Sequence, residues 1–309
     1  MIVLYVKRNN TFINTEENTH IEVIEGTNDV LVQKITGVIY NAAPIVFLFL
    51  SSTGGTVLAS VYAVYSNVFT MIKSILHGVI DAPRLSFGQM LTQRSKTETW
   101  KVFKQYEYIS ICAVFVFLTT TCALILPFIN IYTAGIDDIK YFDPLIAFLM
   151  VTTTAIEMLH IPSGHLINMA GKFKISKNIQ VIACIVLLGT MIGGGNIWGI
   201  YGMLAAILIT AIYLAVMEIV YVHSKFFEGR LGEFIQILLP FVISGVFICY
   251  LEIKSVNIIN GYISFALHGI FYVTINTLIA FIVSLLCLKP LLIAVMKRIK
   301  PIYQGLIKR

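Results

Sequence analysis

Charged residues are few in this 309-residue chain: Asp, Glu, Lys and Arg make up 12% of it, while 58% is apolar. A soluble domain carries about 25% charged residues. With a mean hydropathy of +0.86, the composition excludes that class and points to an integral membrane protein. Long polar segments are missing as well. Each spanning helix takes about 20 apolar residues, so the length allows about eight of them and leaves no room for a soluble catalytic domain. Common catalytic motifs are absent too: there is no HExxH, no P-loop, no GxSxG and no GxGxxG set between a strand and a helix. The five cysteines, Cys112, Cys122, Cys184, Cys249 and Cys287, are odd in number, form no CxxC and all fall in apolar stretches. They read as small buried apolar side chains, which argues against a disulfide framework and against metal ligation. The opening MIVLYVKRNN places only six apolar residues ahead of its basic pair, the reverse of a cleavable signal peptide.

Apolar runs bounded by charge, Gly or Pro predict eight spans, at 35–51, 57–80, 107–131, 144–168, 179–195, 198–222, 233–252 and 262–288. Gly193, Gly194, Gly195 and Asn196 alone separate the fifth from the sixth, and predict a tight turn at a membrane surface. Basic residues alternate with these spans. Nineteen fall in the loops and tails of one side, two (Lys140 and Lys254) on the other, and Lys73 lies inside a span. By the positive-inside rule both termini are cytoplasmic, and the net charge of +6 needs no nucleic-acid partner.

The expected organisation is a cytoplasmic polar tail or linker at 1–34, a six-helix transmembrane bundle at 35–222, two further transmembrane helices at 223–288 and a basic amphipathic cytoplasmic tail at 289–309. In the last of these, Leu292, Val295, Met296 and Ile299 share a helical face beside Lys297, Arg298 and Lys300, as in a helix lying on membrane lipids, with Pro301 expected to end it. The longest outward loop, 132–143, holds twelve residues. That is too little for the acid, base and arginine groups of an extracytoplasmic polymerase or glycosyltransferase, so the chain reads as no enzyme.

An ionisable side chain at mid-membrane costs at least a few kcal/mol, about 2.5–3.5 on insertion scales, and so marks a functional candidate. Glu157 lies thirteen residues into its span, in TTTAIEMLHIPSGH, with His160 at i+3 and Gly164 at i+7 on the same face. Such a face suits a proton- or cation-linked site, and Pro162 is expected to break the helix locally and free the Met158 carbonyl. His165 sits closer to the cytoplasmic end. In the second span Lys73, His77 and Asp81 form a stripe at i, i+4 and i+8, with Lys73 expected to snorkel to the interface or to attract a lipid phosphate. Tyr62, Tyr65, Ser66 and Asn67 add uncharged hydrogen-bonding groups of the kind that hold sugars. Glu218 is placed at the interface, and His268 and Asn276 in packing roles. The pathway candidates are therefore Glu157, His160, Lys73, His77, Asn67 and Tyr65.

The stretch 28–76, NDVLVQKITGVIYNAAPIVFLFLSSTGGTVLASVYAVYSNVFTMIKSIL, resembles the opening of the second helical bundle of Wzx-type polysaccharide flippases, the O-antigen or capsule repeat-unit translocases of the multidrug/oligosaccharidyl-lipid/polysaccharide exporter superfamily. The run AGKFKISKN at 170–178 and GIYGMLAAILITAIYLAVMEIVYVHSKFF at 199–227 are similar to the family's later part. The resemblance covers about 28–230 and implies alternating access that carries an undecaprenyl-pyrophosphate-linked oligosaccharide across the cytoplasmic membrane of a bacterium. It implies no cofactor, with coupling to a proton or sodium gradient or to membrane potential. Relatives have two bundles, so the chain reads as the second bundle plus two trailing helices. It is then expected to work with a missing N-terminal half or a second copy, or to be an inactive truncated remnant. An ion-coupled small-molecule or drug antiporter of the same superfamily is the alternative.

Overall fold

The computed structural model describes residues 26–50, 55–136, 139–255, 259 and 261–307, without the side chains of 85–86 and 299–307. Of the tail predicted at 1–34, residues 1–25 lie outside the described residues. Among those described, the fold is 90% helical and has no strand. The helices are α1 (Thr27–Leu50), α2 (Gly55–Ile80), α3 (Arg84–Gln93), α4 (Lys96–Tyr132), α5 (Pro144–Met169), α6 (Phe173–Trp198), α7 (Ile200–Val220), α8 (Leu231–Ser255), α9 (Tyr262–Cys287) and α10 (Lys289–Ile307). All but α3 and α10 are long and apolar enough to cross a membrane, so the all-α multi-pass expectation with eight spans is what the fold presents.

Several boundaries differ from the sequence reading, each for a local reason. α1 starts at Thr27 rather than 35. Asp29 in its first turn complements the unpaired N–H groups there and meets Lys177 of α6 at 2.6 Å. The predicted loop at 81–106 is mostly helical. α4 starts at Lys96 because Ser95 and Glu98 close a capping box, Glu98 N donating to Ser95 Oγ at 3.4 Å and Ser95 N to Glu98 Oε2 at 3.3 Å. α5 runs unbroken through Pro162, and α10 continues past Pro301 to Ile307. The boundary drawn at 222 falls inside a helix, since α7 passes directly into a π-helical turn, Tyr221–Phe226.

The glycine run behaves differently from a turn. α6 stays helical through it, and the break falls at Gly199, whose φ of 57° and ψ of −131° are rarely open to a residue with a Cβ. Gly194 and Gly202 serve close approach instead: a Cβ on Gly202 would run into the Gly194 backbone, and one on Gly195 into the Phe47 ring of α1. α6 and α7 therefore form a hairpin that packs against α1 and α5.

α4 is the centre of the molecule. It packs against α2, α5, α8 and α9 and is the most buried of the spans. The faces turned away from these contacts, such as Val38, Phe49, Ile185, Val246 and Leu286, are apolar and exposed, as lipid-facing surfaces require. One end of the bundle gathers the ion pairs Asp29–Lys177, Lys96–Glu228 and Lys104–Glu233, the last two at 2.8 Å. Lys96 beside the Glu228 carboxyl holds it below the usual carboxylate range. The amphipathic face of α10 is covered in part: Leu292 and Val295 are buried, with Val295 in the cluster that joins α4, α8 and α9, while Met296 is exposed.

Candidate functional site

Glu157 sits at the middle of α5, buried, and two helices reach it. Lys73 Nζ of α2 stands 2.5 Å from Oε2, a contact of charge that lies outside hydrogen-bond angles. The Tyr40 hydroxyl of α1 donates to Oε1 at 2.6 Å. Lys73 therefore does not snorkel: its ammonium turns inward, because a carboxylate inside the bundle attracts it more than a distant interface does. About a third of the side chain (34%) stays exposed. Beside the pair lies a cavity of about 60 Å³ walled by Tyr62, Ser66 and Thr70 of α2 and Thr153 and Thr154 of α5. The Thr70 hydroxyl already donates to the Ser66 carbonyl at 2.8 Å, so toward a ligand it acts as an acceptor.

His160 does not share a partner with Glu157, although the two lie on one face of α5. Its Nδ1 faces Glu218 Oε2 of α7 at 2.8 Å. Glu218 is only 4% exposed, which corrects its placement at the interface. Gly164 makes this possible. A Cβ there would stand 2.6 Å from Glu218 Oε2. A larger cavity, about 200 Å³, is lined by His160, Glu218, Tyr40, Thr36 and Gln180. Tyr40 borders this cavity and also bonds Glu157, so a single phenol lies between the two pairs.

The remaining candidates have other places. Tyr65 is fully buried, its hydroxyl donating to the Tyr141 carbonyl at 2.9 Å and accepting from Asp143 N at 3.1 Å. It ties α2 to the start of α5 and is not a pathway residue in this arrangement. Asn67 is exposed. His77 pairs with Asp81 at 3.3 Å at the end of α2, where Asp81 also meets His165 Nε2 at 3.4 Å. His268 Nδ1 bonds its own helix at the Ser264 carbonyl, and Asn276 Nδ2 donates to Thr120 Oγ1 at 3.0 Å, in keeping with packing roles.

Sequence reasoning missed two buried carboxylates. Glu107 is sealed with His223 at 3.0 Å inside a ring of Trp100, Phe103 and Phe234. Glu252 is 6% exposed near the end of α8. Both lie at the edges of apolar runs, where a carboxylate ordinarily reaches water. Among the described residues no group of three or more His, Cys, Asp or Glu side chains is placed to hold a metal ion.

The site is thus a Lys–Glu ion pair and a His–Glu contact within a helical membrane bundle, beside hydroxyl-lined space. Compared with known proteins, the chain matches no family model, no curated protein and no solved structure.

Proposed function

We propose that this chain is a transporter of the flippase type, moving an undecaprenyl-pyrophosphate-linked oligosaccharide repeat unit across the bacterial cytoplasmic membrane by alternating access, with both termini cytoplasmic. The observation that carries the reading is the Lys73–Glu157 pair set mid-bundle beside hydroxyl groups. A buried ion pair is a poor stabilising device, because desolvation offsets its Coulomb energy. Inside a membrane such pairs mark pathways. Lys73 offers an ammonium for which a phosphate can compete with Glu157, and Tyr62, Ser66, Thr70, Thr153 and Thr154 offer neutral partners for sugar hydroxyls. Displaced from Lys73, Glu157 keeps the Tyr40 hydrogen bond and becomes free to take a proton, which links headgroup binding to a proton gradient. A space of about 60 Å³ is too small for a headgroup, so α2 and α5 must separate to admit one.

The test reconstitutes the chain in liposomes holding a fluorescent lipid-linked oligosaccharide and adds a membrane-impermeant quencher outside. Wild type should expose the inner-leaflet probe, with Lys73→Met and Glu157→Gln reducing the rate to that of protein-free vesicles. A wild-type rate equal to that of empty vesicles, or unchanged rates in both variants, counts against the reading.

The cavity of about 200 Å³ at His160 and Glu218 favours a second reading, an ion-coupled antiporter for small molecules. It predicts gradient-driven efflux that disappears in Glu157→Gln.

A further inference from the structure

Four carboxylates are buried in the described bundle, and three of them face a base: Glu107 faces His223, Glu157 faces Lys73, and Glu218 faces His160. Glu252 does not. It lies one turn before the end of α8, 6% exposed, and neither carboxyl oxygen has a hydrogen-bond partner. Asn276 of α9, fully buried, adjoins it. One N–H of its Nδ2 goes to Thr120 Oγ1 of α4, the other is left for the Glu252 carboxyl, and its Oδ1 is unpartnered.

The titratable neighbours supply no positive charge. They are Cys122 of α4, Cys249 of α8 and Tyr272 of α9. Lys254, two residues on, points elsewhere, its Nζ 2.5 Å from the exposed Tyr250 hydroxyl and over that residue's ring. Both Glu252 oxygens and the Asn276 Oδ1 thus meet where α4, α8 and α9 pack together, and no cation stands among the neighbours named.

A carboxylate so placed cannot stay ionised without a counter-charge, since an isolated buried charge costs far more than a proton transfer from water. A protonated carboxyl removes the charge, and its O–H can donate to the unpartnered Asn276 Oδ1. The crowding by apolar side chains and two thiols is poorly suited to a hydrated metal cation, which takes an oxygen shell.

We propose that Glu252 is a proton-binding site of this protein, loaded from the face where α8 ends and α9 begins, with Asn276 as its companion in the docking of α8 and α9 on α4. The site is independent of the Lys73–Glu157 pair and does not rest on the transport reading. Loss of the proton leaves an uncompensated charge in the joint between α4 and the last two spans. Deprotonation therefore loosens that joint, and protonation closes it.

The experiment uses the full chain in liposomes with dicyclohexylcarbodiimide, an apolar reagent that adds across the O–H of a protonated carboxyl, the oxygen bonding to its central carbon and the proton moving to its nitrogen. Peptide mass spectrometry reads the adduct at Glu252. Labelling should fall about tenfold per pH unit above its midpoint and should be indifferent to sodium at constant pH. Protection by sodium at constant pH would overturn the proton assignment in favour of a metal cation. A second measurement does not depend on reagent access. Infrared difference spectra between acid and alkaline pH should contain a protonated-carboxyl component in wild type that is lost in Glu252→Gln, while the bands of the other carboxyls remain. Identical spectra in the two proteins would overturn the proposal.

Discussion

Adding a single methyl group at Gly164 tests whether the His160–Glu218 pair is built by the backbone. The Cβ of Gly164→Ala would stand 2.6 Å from Glu218 Oε2, against the roughly 3.4 Å of an ordinary contact, so the carboxylate must move by about 0.8 Å. The end of a glutamate is flexible and the movement itself is cheap. What it disrupts is the 2.8 Å contact to His160, a hydrogen bond to a charged group worth about 1.5–3 kcal/mol. Ala in place of Gly inside a helix gives back about 1 kcal/mol. The net is a loss of about 0.5–2 kcal/mol. Gly189→Ala is the matching reference, since it lies inside α6 with nothing within 4 Å of its would-be Cβ, and should be neutral or stabilising by up to about 1 kcal/mol. Thermal unfolding of both variants in one detergent should place Gly164→Ala below Gly189→Ala by a few degrees. Combining Gly164→Ala with Glu218→Ala should remove the steric part of the deficit. Equal midpoints for the two single variants would refute the reasoning.

Other perturbations follow from the same packing. Lys73→Met leaves the buried Glu157 without its cation and should cost up to about 3–5 kcal/mol, Glu157→Gln should cost less because Lys73 is a third exposed, and the double variant should recover most of the loss; a double-mutant cycle of unfolding midpoints checks this. Gly202→Ala drives a Cβ into the Gly194 backbone, which has no flexible end to move aside, so the yield of monodisperse protein on size exclusion should collapse. His223→Ala strands Glu107 inside its aromatic ring and should cost about 3–5 kcal/mol, while Glu228→Gln, fully exposed beside Lys96, should leave the unfolding midpoint unchanged. The Glu228–Lys96 contact exists only while Glu228 is ionised, so it persists at neutral pH and is lost as pH falls through the lowered value.

The spans were legible because their signal is additive along the chain: a run of apolar residues of bilayer length, bracketed by basic loops, needs no knowledge of neighbours. Glu157 and Lys73 were legible singly for the same reason. Their pairing was not, since α2 and α5 meet only after the chain has folded back past α4. Glu218 and Glu252 illustrate the limit most directly. Both lie within about a turn or two of an apolar boundary, where distance along the helix suggests water, and only the packing of α5 against α7 and of α4 and α9 against α8 covers them. The glycine run was misread as a turn because glycine serves two purposes. Gly199 takes a backbone conformation closed to other residues, and Gly194 and Gly202 give up side-chain volume, and composition alone does not separate them. The early start of α4 was written in Ser95 and Glu98, a capping signal hidden within a stretch that looked like a basic loop.

The single-residue hinge at Gly199 bears on how the chain enters its membrane. With no loop between α6 and α7 there is no polar segment to be carried across, and each helix presents to the other the glycines that seat it. The two are expected to leave the insertion machinery as one preassembled unit rather than one after the other. A reporter enzyme or glycan acceptor spliced in at Gly199 would then break the hairpin it was meant to locate, so topology mapping of this region should rely on tags placed after Tyr132 and beyond Ser255 instead.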